Sequence, residues 1–295
     1  MEYNSIAGIV KNADDRGITI SRLVLEDQAT EMGVPESRIL EQMSDVINVM
    51  RESAKAGLKP GIRSMSGLTG GDGYKMNEYA SCGAALSGGF CANAITLALA
   101  IQECNAAMGR IVAAPTAGSC GILPAGIISM MDMRGVSEEE ASMALITAGA
   151  IGMVIASEAT ISGARGGCQA ECGSAAAMTA GALVELSGGT NGMVAHACAI
   201  SLKNQLGLVC DPVAGLVEVP CIKRNAGGIM CAVCAADMAL AGIQSVIPAD
   251  EVIGAMREVG EVLPREFRET ALGGIAVTPT GNAIRERIFG NLESV

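Results

Sequence analysis

Three of the eleven cysteines stand in loop-like contexts, each beside glycine, proline or a charged residue. Cys168 lies in SGARGGCQAECG, Cys210 in GLVCDPVAG and Cys221 in VEVPCIKRNA. Thiolates bind soft metal centres, and an iron-sulfur cluster needs them presented from irregular backbone, where glycine-rich turns supply N–H donors that stabilise the sulfur charge. No compact C-x-x-C pair repeats among the three, so spacing alone does not specify what they hold. A second set of residues carries hydroxyls and loop glycines. Ser64, Ser66 and Thr69 fall in SMSGLTGGDG, with Thr116, Gly118 and Ser162 in two further turn-rich stretches. Together with the charge of Arg268, these are the candidates for hydrogen bonds to a small carboxylate-bearing substrate. The GGDG at residues 70–73 lacks the lysine-hydroxyl pair of a phosphate loop and the dinucleotide fingerprint, so it reads as a turn or a carboxylate-binding loop.

The elements that must position these residues are helical. From Ala84 onward, runs rich in Ala, Met, Leu and Ile alternate with short Gly/Pro punctuation, and aromatic residues make up only 2% of the chain. These are helix-forming residues in a sequence poor in aromatic residues, which predicts an all-α, multi-helix fold with Gly/Ala-rich, closely packed helices. Helices are expected near Ala92–Ala107, Glu138–Ala156, Ser174–Ser187, Met193–Leu206 and Asn225–Val246, with Ser137 and Glu140 forming a capping box. Ile39, Met43, Val46, Ile47 and Met50 recur at helical spacing, so residues 1–60 read as a peripheral helical segment of one catalytic domain spanning 1–295.

Composition removes several function classes. A net charge of -11 disfavours nucleic acid and anionic membranes, which reward clustered Lys and Arg. Without a basic, apolar leader the eleven cysteines point to a reduced, cytoplasmic chain rather than a disulfide framework. Mean hydropathy of +0.40 and the uncharged run Ile111–Met131 raise a membrane reading. Pro115, Gly118, Gly121, Pro124 and Gly126 break that run, and neither interfacial aromatic belts nor orienting basic loops accompany it.

Four segments carry a resemblance. ECNAAMGRIVAAPTAGSCGILP (Glu103–Pro124), ISGARGGCQAECG (Ile161–Gly173), LGLVCDPVAGLVEVPCIKRNA (Leu206–Ala226) and FRETALGG (Phe267–Gly274) resemble, in order, the signature segments of the iron-sulfur L-serine dehydratases. The resemblance implies a 4Fe-4S cluster held by Cys168, Cys210 and Cys221, with one iron open to substrate and no pyridoxal phosphate. It implies L-serine as substrate, pyruvate and ammonia as products, and a separate beta subunit as partner. In some single-chain relatives a C-terminal cysteine covers the open iron; this chain ends NLESV, so no such tail ligand is expected. The FRET segment and the APTAG loop become parts of the active-site wall, and the base that removes the Cα proton stays unassigned.

Other readings stand beside this one. Cys82, Cys91, Cys104, Cys198, Cys231 and Cys234 read as small core hydrophobes, and the C-x-x-C at 231–234 continues a helical run without the setting of a redox motif. Cys120 and Cys172 lie inside the family segments and read as packing residues close to the ligands. His196, the single histidine, reads as a satisfied core residue, so any other imidazole must come from a partner subunit. L-threonine or L-cysteine as substrate, and a non-catalytic iron-sulfur protein, are the alternative functions; a transporter rests on hydropathy alone.

Overall fold

The computed structural model describes residues 4–290. It is all-α: thirteen helices and several short 3-10 or π turns, with no strand among the described residues and one isolated parallel bridge between Cys210 and Arg268. The helices are α1 (Ile6–Arg16), α2 (Ile20–Met32), α3 (Glu36–Gly57), α4 (Asp72–Ser81), α5 (Gly88–Ala106), α6 (Ile122–Arg134), α7 (Glu138–Glu158), α8 (Gly163–Gly166), α9 (Ser174–Leu186), α10 (Asn191–Lys203), α11 (Cys221–Leu240), α12 (Ala249–Val262) and α13 (Pro279–Phe289).

Helices α5, α6, α7 and α9 are apolar on nearly every side, and helices of that kind must be enclosed by others. Accordingly α9 packs against α6, α7, α10 and α11, while α5 packs against α3, α4, α6 and α11. Helices α1, α2, α3 and α12 lie outside this core; α3 buries Ile39, Ile47 and Met50 against α5 and α7. Small residues permit the closeness. A Cβ on Gly57 would fall 1.7 Å from the carbonyl oxygen of Ala100, so α3 and α5 touch backbone to backbone there.

The expected helices are present, with shifted ends. The capping box is formed: Glu140 N–H donates to Ser137 Oγ at 3.2 Å and Ser137 N–H to the Glu140 carboxylate at 2.8 Å. Helix α11 starts four residues earlier than the sequence suggests, at Cys221 directly after a cis Val219–Pro220 bond, and stops at Leu240, because Gly242 turns to φ 85°. The uncharged run 111–131 is not one helix. It is non-helical through Thr116, passes through the 3-10 turn Ala117–Ser119, and only then enters α6. The one helix among the described residues long and apolar enough to cross a bilayer is α7, and it is largely buried against α2, α3 and α9. The NLESV end lies outside the described residues.

Candidate active site

Cys168, Cys210 and Cys221 come from three separate segments, all three are buried, and backbone and side-chain hydrogen bonds draw the segments together. Cys168 immediately precedes a π turn, Gln169–Gly173. Gln169 ties this loop to the next: its N–H donates to Leu208 O at 2.9 Å, and its Oε1 accepts from Gly207 N–H at 2.9 Å. Cys210 is held by the FRET segment, donating its N–H to Phe267 O at 2.8 Å and accepting at its own carbonyl from Glu269 N–H at 2.8 Å. Glu269 and Ala271 adopt positive φ (63° and 56°), strained for non-glycine residues and concentrated beside Cys210. Cys221 is the first residue of α11. Asn225, one turn on, bridges it to the APTAG loop: its Nδ2 donates to Gly118 O and Cys221 O, and its Oδ1 accepts from Gly121 N–H.

Two charged residues that the sequence reading did not single out organise this region. Arg224, also in the first turn of α11, donates to Val209 O at 2.7 Å and to Asp211 Oδ1 at 2.8 Å, bracketing Cys210. Its position in the KRN that follows VPC was the available signal. The other Asp211 oxygen accepts from Ile275 N–H at 2.9 Å. Glu171 sits on the π turn, accepting from Thr116 Oγ1 at 2.9 Å and lying 3.9 Å from Cys210 Sγ. Glycines make room for it: a Cβ on Gly163 would fall 2.6 Å from its Oε2, and one on Gly118 would fall 3.2 Å from its Oε1. Burial raises the Glu171 carboxyl above the usual range.

Electrostatics agree with three neighbouring thiols. Burial pushes the Cys221 thiol up to about 12 and Cys210 higher still, each further raised by the Cys168 charge. Cys168 moves the other way, because the Cys172 thiol and the Arg224 guanidinium favour its thiolate. Buried thiols of this kind ionise when a metal centre takes the charge. No three His, Cys, Asp or Glu side chains among the described residues stand at the spacing of a single-ion site. Each thiolate of a polynuclear cluster binds a different iron, so its ligands stand further apart than those of one ion. The donor set, three buried thiols at a π turn, a bridge segment and a helix start beside one arginine, fits such a cluster.

The hydroxyl candidates separate into two groups. Ser66 Oγ and Thr69 Oγ1 both donate to Glu218 Oε2, at 2.9 and 3.0 Å, and Ser64 Oγ accepts from Thr69 N–H. Their protons are therefore committed to a carboxylate of the turn leading into Cys221, and a second carboxylate there would be repelled. Thr116 and Gly118 adjoin Glu171, as above. Ser162 caps α8 through its carbonyl, and no side-chain capping bond forms. Arg268 directs its guanidinium to Leu263 O and Glu261 O at 2.7 Å each, so it straps the segment beside Cys210 rather than offering a free charge. The GGDG turn does cradle a carboxylate, but an internal one: Glu103 accepts from Asp72 N–H and Gly73 N–H at the start of α4.

Among the remaining cysteines, Cys104, Cys120 and Cys198 are buried, Cys91 and Cys231 are half-buried, and Cys82 and Cys234 are exposed. Core packing thus fails for the last two, whose positions on α11 and at the end of α4 face outward. Cys172 Sγ lies 3.4 Å from Cys168 Sγ. His196 is half-buried on α10, with Nδ1 accepting from Ser245 N–H at 3.4 Å in a cavity that also includes Ile6, Pro248 and Asp250.

Comparison with known proteins adds a family. The model of the serine dehydratase alpha chain family matches residues 15–276. A Bacillus subtilis protein named "Probable L-serine dehydratase, alpha chain" is 48% identical over 291 residues, covering 98% of this chain and 96% of the relative. The L-serine dehydratase alpha chain of Peptoniphilus asaccharolyticus is 44% identical, covering 96% and 97%. An L-serine dehydratase of Streptomyces coelicolor is 40% identical over 91% of this chain, which spans 59% of that relative.

Proposed function

The chain belongs to the serine dehydratase alpha chain family, and we propose that it is the catalytic subunit of an L-serine ammonia-lyase whose 4Fe-4S cluster is held by Cys168, Cys210 and Cys221. The observation that carries this reading is the approach of those three buried cysteines from three separate segments, in a chain similar over its length to L-serine dehydratase alpha chains.

The reaction eliminates water from L-serine, leaving an enamine that hydrolyses to pyruvate and ammonia. When bound, such a cluster supplies an electrophilic iron that makes the substrate hydroxyl a better leaving group. The chain's own residues set the surroundings. Arg224 and Asp211 fix the Val209–Cys210 turn, and Asn225 fixes Cys221 against Gly118. Thr116 holds the Glu171 carboxyl toward Cys210, and Gly118 and Gly163 leave the space around it open. Thr116, Gly118 and Ser162 then form the wall nearest the thiols. The loop of Ser64, Ser66 and Thr69 binds the buried carboxylate of Glu218, a setting that suits the substrate ammonium better than its carboxylate. Pyridoxal phosphate has no part in this reading. One catalytic domain with residues 1–60 as its outer helical layer, a cytoplasmic setting, and a separate beta subunit complete it.

The test is pyruvate release from L-serine by the anaerobically reconstituted chain co-expressed with a beta subunit, alongside Cys168→Ser, Cys210→Ser and Cys221→Ser. We expect pyruvate and cluster absorbance from the wild type and loss of both in each variant. A wild-type protein with an intact cluster that releases no pyruvate, or a Cys→Ser variant with full absorbance and turnover, would overturn the reading.

A further inference from the structure

We propose that Cys172 is an oxidative-modification site, closing a disulfide onto Cys168 when a peroxide reaches the pair in the absence of the cluster. The consequence drawn for the cluster rests on the ligand role proposed above for Cys168; formation of the bond does not.

The two Sγ atoms are 3.4 Å apart, the one thiol-to-thiol hydrogen bond among the described residues. A disulfide bond is about 2.0 Å long, so closure requires roughly 1.4 Å of approach, within reach of side-chain rotation. The residues are four apart across the π turn Gln169–Gly173, and residues at that spacing lie one above the other on a helical surface. Neither of the other two proposed ligands competes for Cys168 at contact distance. Cys210 Sγ has the Glu171 carboxylate at 3.9 Å, and among the described residues no hydrogen bond joins the Cys221 thiol to Cys168. Cys172 is fully enclosed and has no part in the proposed reaction, so its thiol is otherwise unexplained.

The chemistry balances with hydrogen peroxide as oxidant. The Cys168 sulfur takes one hydroxyl of the peroxide, its own proton leaves with the other as water, and a sulfenic acid forms. The Cys172 sulfur then attacks the Cys168 sulfur, displacing that hydroxyl, which leaves with the Cys172 proton as a second water. Two electrons have passed from the sulfur pair to the O–O bond. The disulfide withdraws one of three thiolates, so the chain cannot reload iron until a dithiol reductant opens it. It also spares Cys168 from irreversible oxidation to the sulfinic acid.

The experiment uses the complex of this chain with its beta subunit, stripped of iron anaerobically with a chelator, treated with hydrogen peroxide, alkylated and mapped by mass spectrometry. We expect the wild-type peptide bearing Cys168 and Cys172 to be two hydrogens lighter and unalkylated, and dithiothreitol to restore both thiols. In Cys172→Ser, Cys168 should run on to sulfinic acid that dithiothreitol does not recover. The inference is overturned if both wild-type thiols remain alkylatable, or if Cys168 becomes sulfinic acid in wild type and variant alike. Iron content of the reconstituted variants reports on the ligand set separately. Iron lost in Cys172→Ser but kept in Cys168→Ser would defeat the ligand assignment, whereas a missing disulfide defeats only this inference.

Discussion

At the scale of single residues, the buried charges explain more than the surface ones. Arg224 and Asp211 form the one ion pair among the described residues in which both side chains are largely enclosed, and the pair is tied at both ends to backbone beside Cys210. Isolated surface pairs such as Lys11 with Asp15 add little by comparison. Glu185 shows the cost of a buried carboxylate without a cation. It is held by the hydroxyl of Thr147 at 2.6 Å, and burial raises its pKa. A carboxyl whose folded-state pKa lies above its unfolded value contributes stability that is full below the unfolded pKa and lost as pH rises through the folded one. Glu185→Gln, which keeps an acceptor for Thr147 and removes the charge, should therefore raise the melting temperature at pH 8. The two proteins should melt together below the ordinary glutamate pKa of about 4.3. Melting curves across that range check it, and a variant less stable at pH 8 would show that the charge is used.

Among elements, α11 links the core to the site. Its first turn supplies Cys221, Arg224 and Asn225, while farther along it packs against α5, α9 and α10. Any shift of α11 relative to α5 would therefore move a proposed ligand. The other neighbours of α5 are held by close backbone approach. A Cβ on Gly121 would fall 2.4 Å from Ala98 O, and one on Gly57 meets Ala100 O at 1.7 Å. Gly57→Ala forces α3 off α5 and should destabilise the protein by about 1–3 kcal/mol, the usual range for overpacking, despite alanine's better helix propensity. Urea denaturation measures this; a variant as stable as the wild type would mean that α3 can slide at no cost.

Across the whole molecule, the site is assembled from segments far apart in sequence: the APTAG loop, the GCQ turn, the CDPVAG-to-VPC stretch and the FRET strap all meet. The single histidine is not among them. His196 lies on α10 beside Ser245 and Asp250, with its Nδ1 engaged by a backbone N–H. His196→Gln, assayed in the complex with a beta subunit, should leave kcat/KM for L-serine within about threefold of wild type, since general-base loss typically costs 10²–10⁴-fold. A loss of that larger size would place His196 in the chemistry.

Much of this was legible in the sequence because it is local. Ala- and Met-rich runs almost free of aromatic residues determine helices, Ser137 and Glu140 determine a cap, and Cys168, Cys210 and Cys221 stand out by their Gly, charged or Pro neighbours. The end of α11 falls short of its apolar run because Gly242 turns left-handed, which the run itself does not encode. Partnerships between distant residues were beyond it. Composition showed that Ser66, Thr69 and the GGDG turn could bind an anion; only the fold decided that the anions are Glu218 and Glu103. Arg268 was the arginine the sequence offered as a free charge; tertiary structure gave its guanidinium to carbonyls and placed Arg224, which the sequence did not single out, against Val209 and Asp211 beside Cys210. The physical reason is that a hydrogen bond or ion pair depends on a few ångströms of separation, which sequence distance does not encode, whereas helix formation depends on neighbours along the chain.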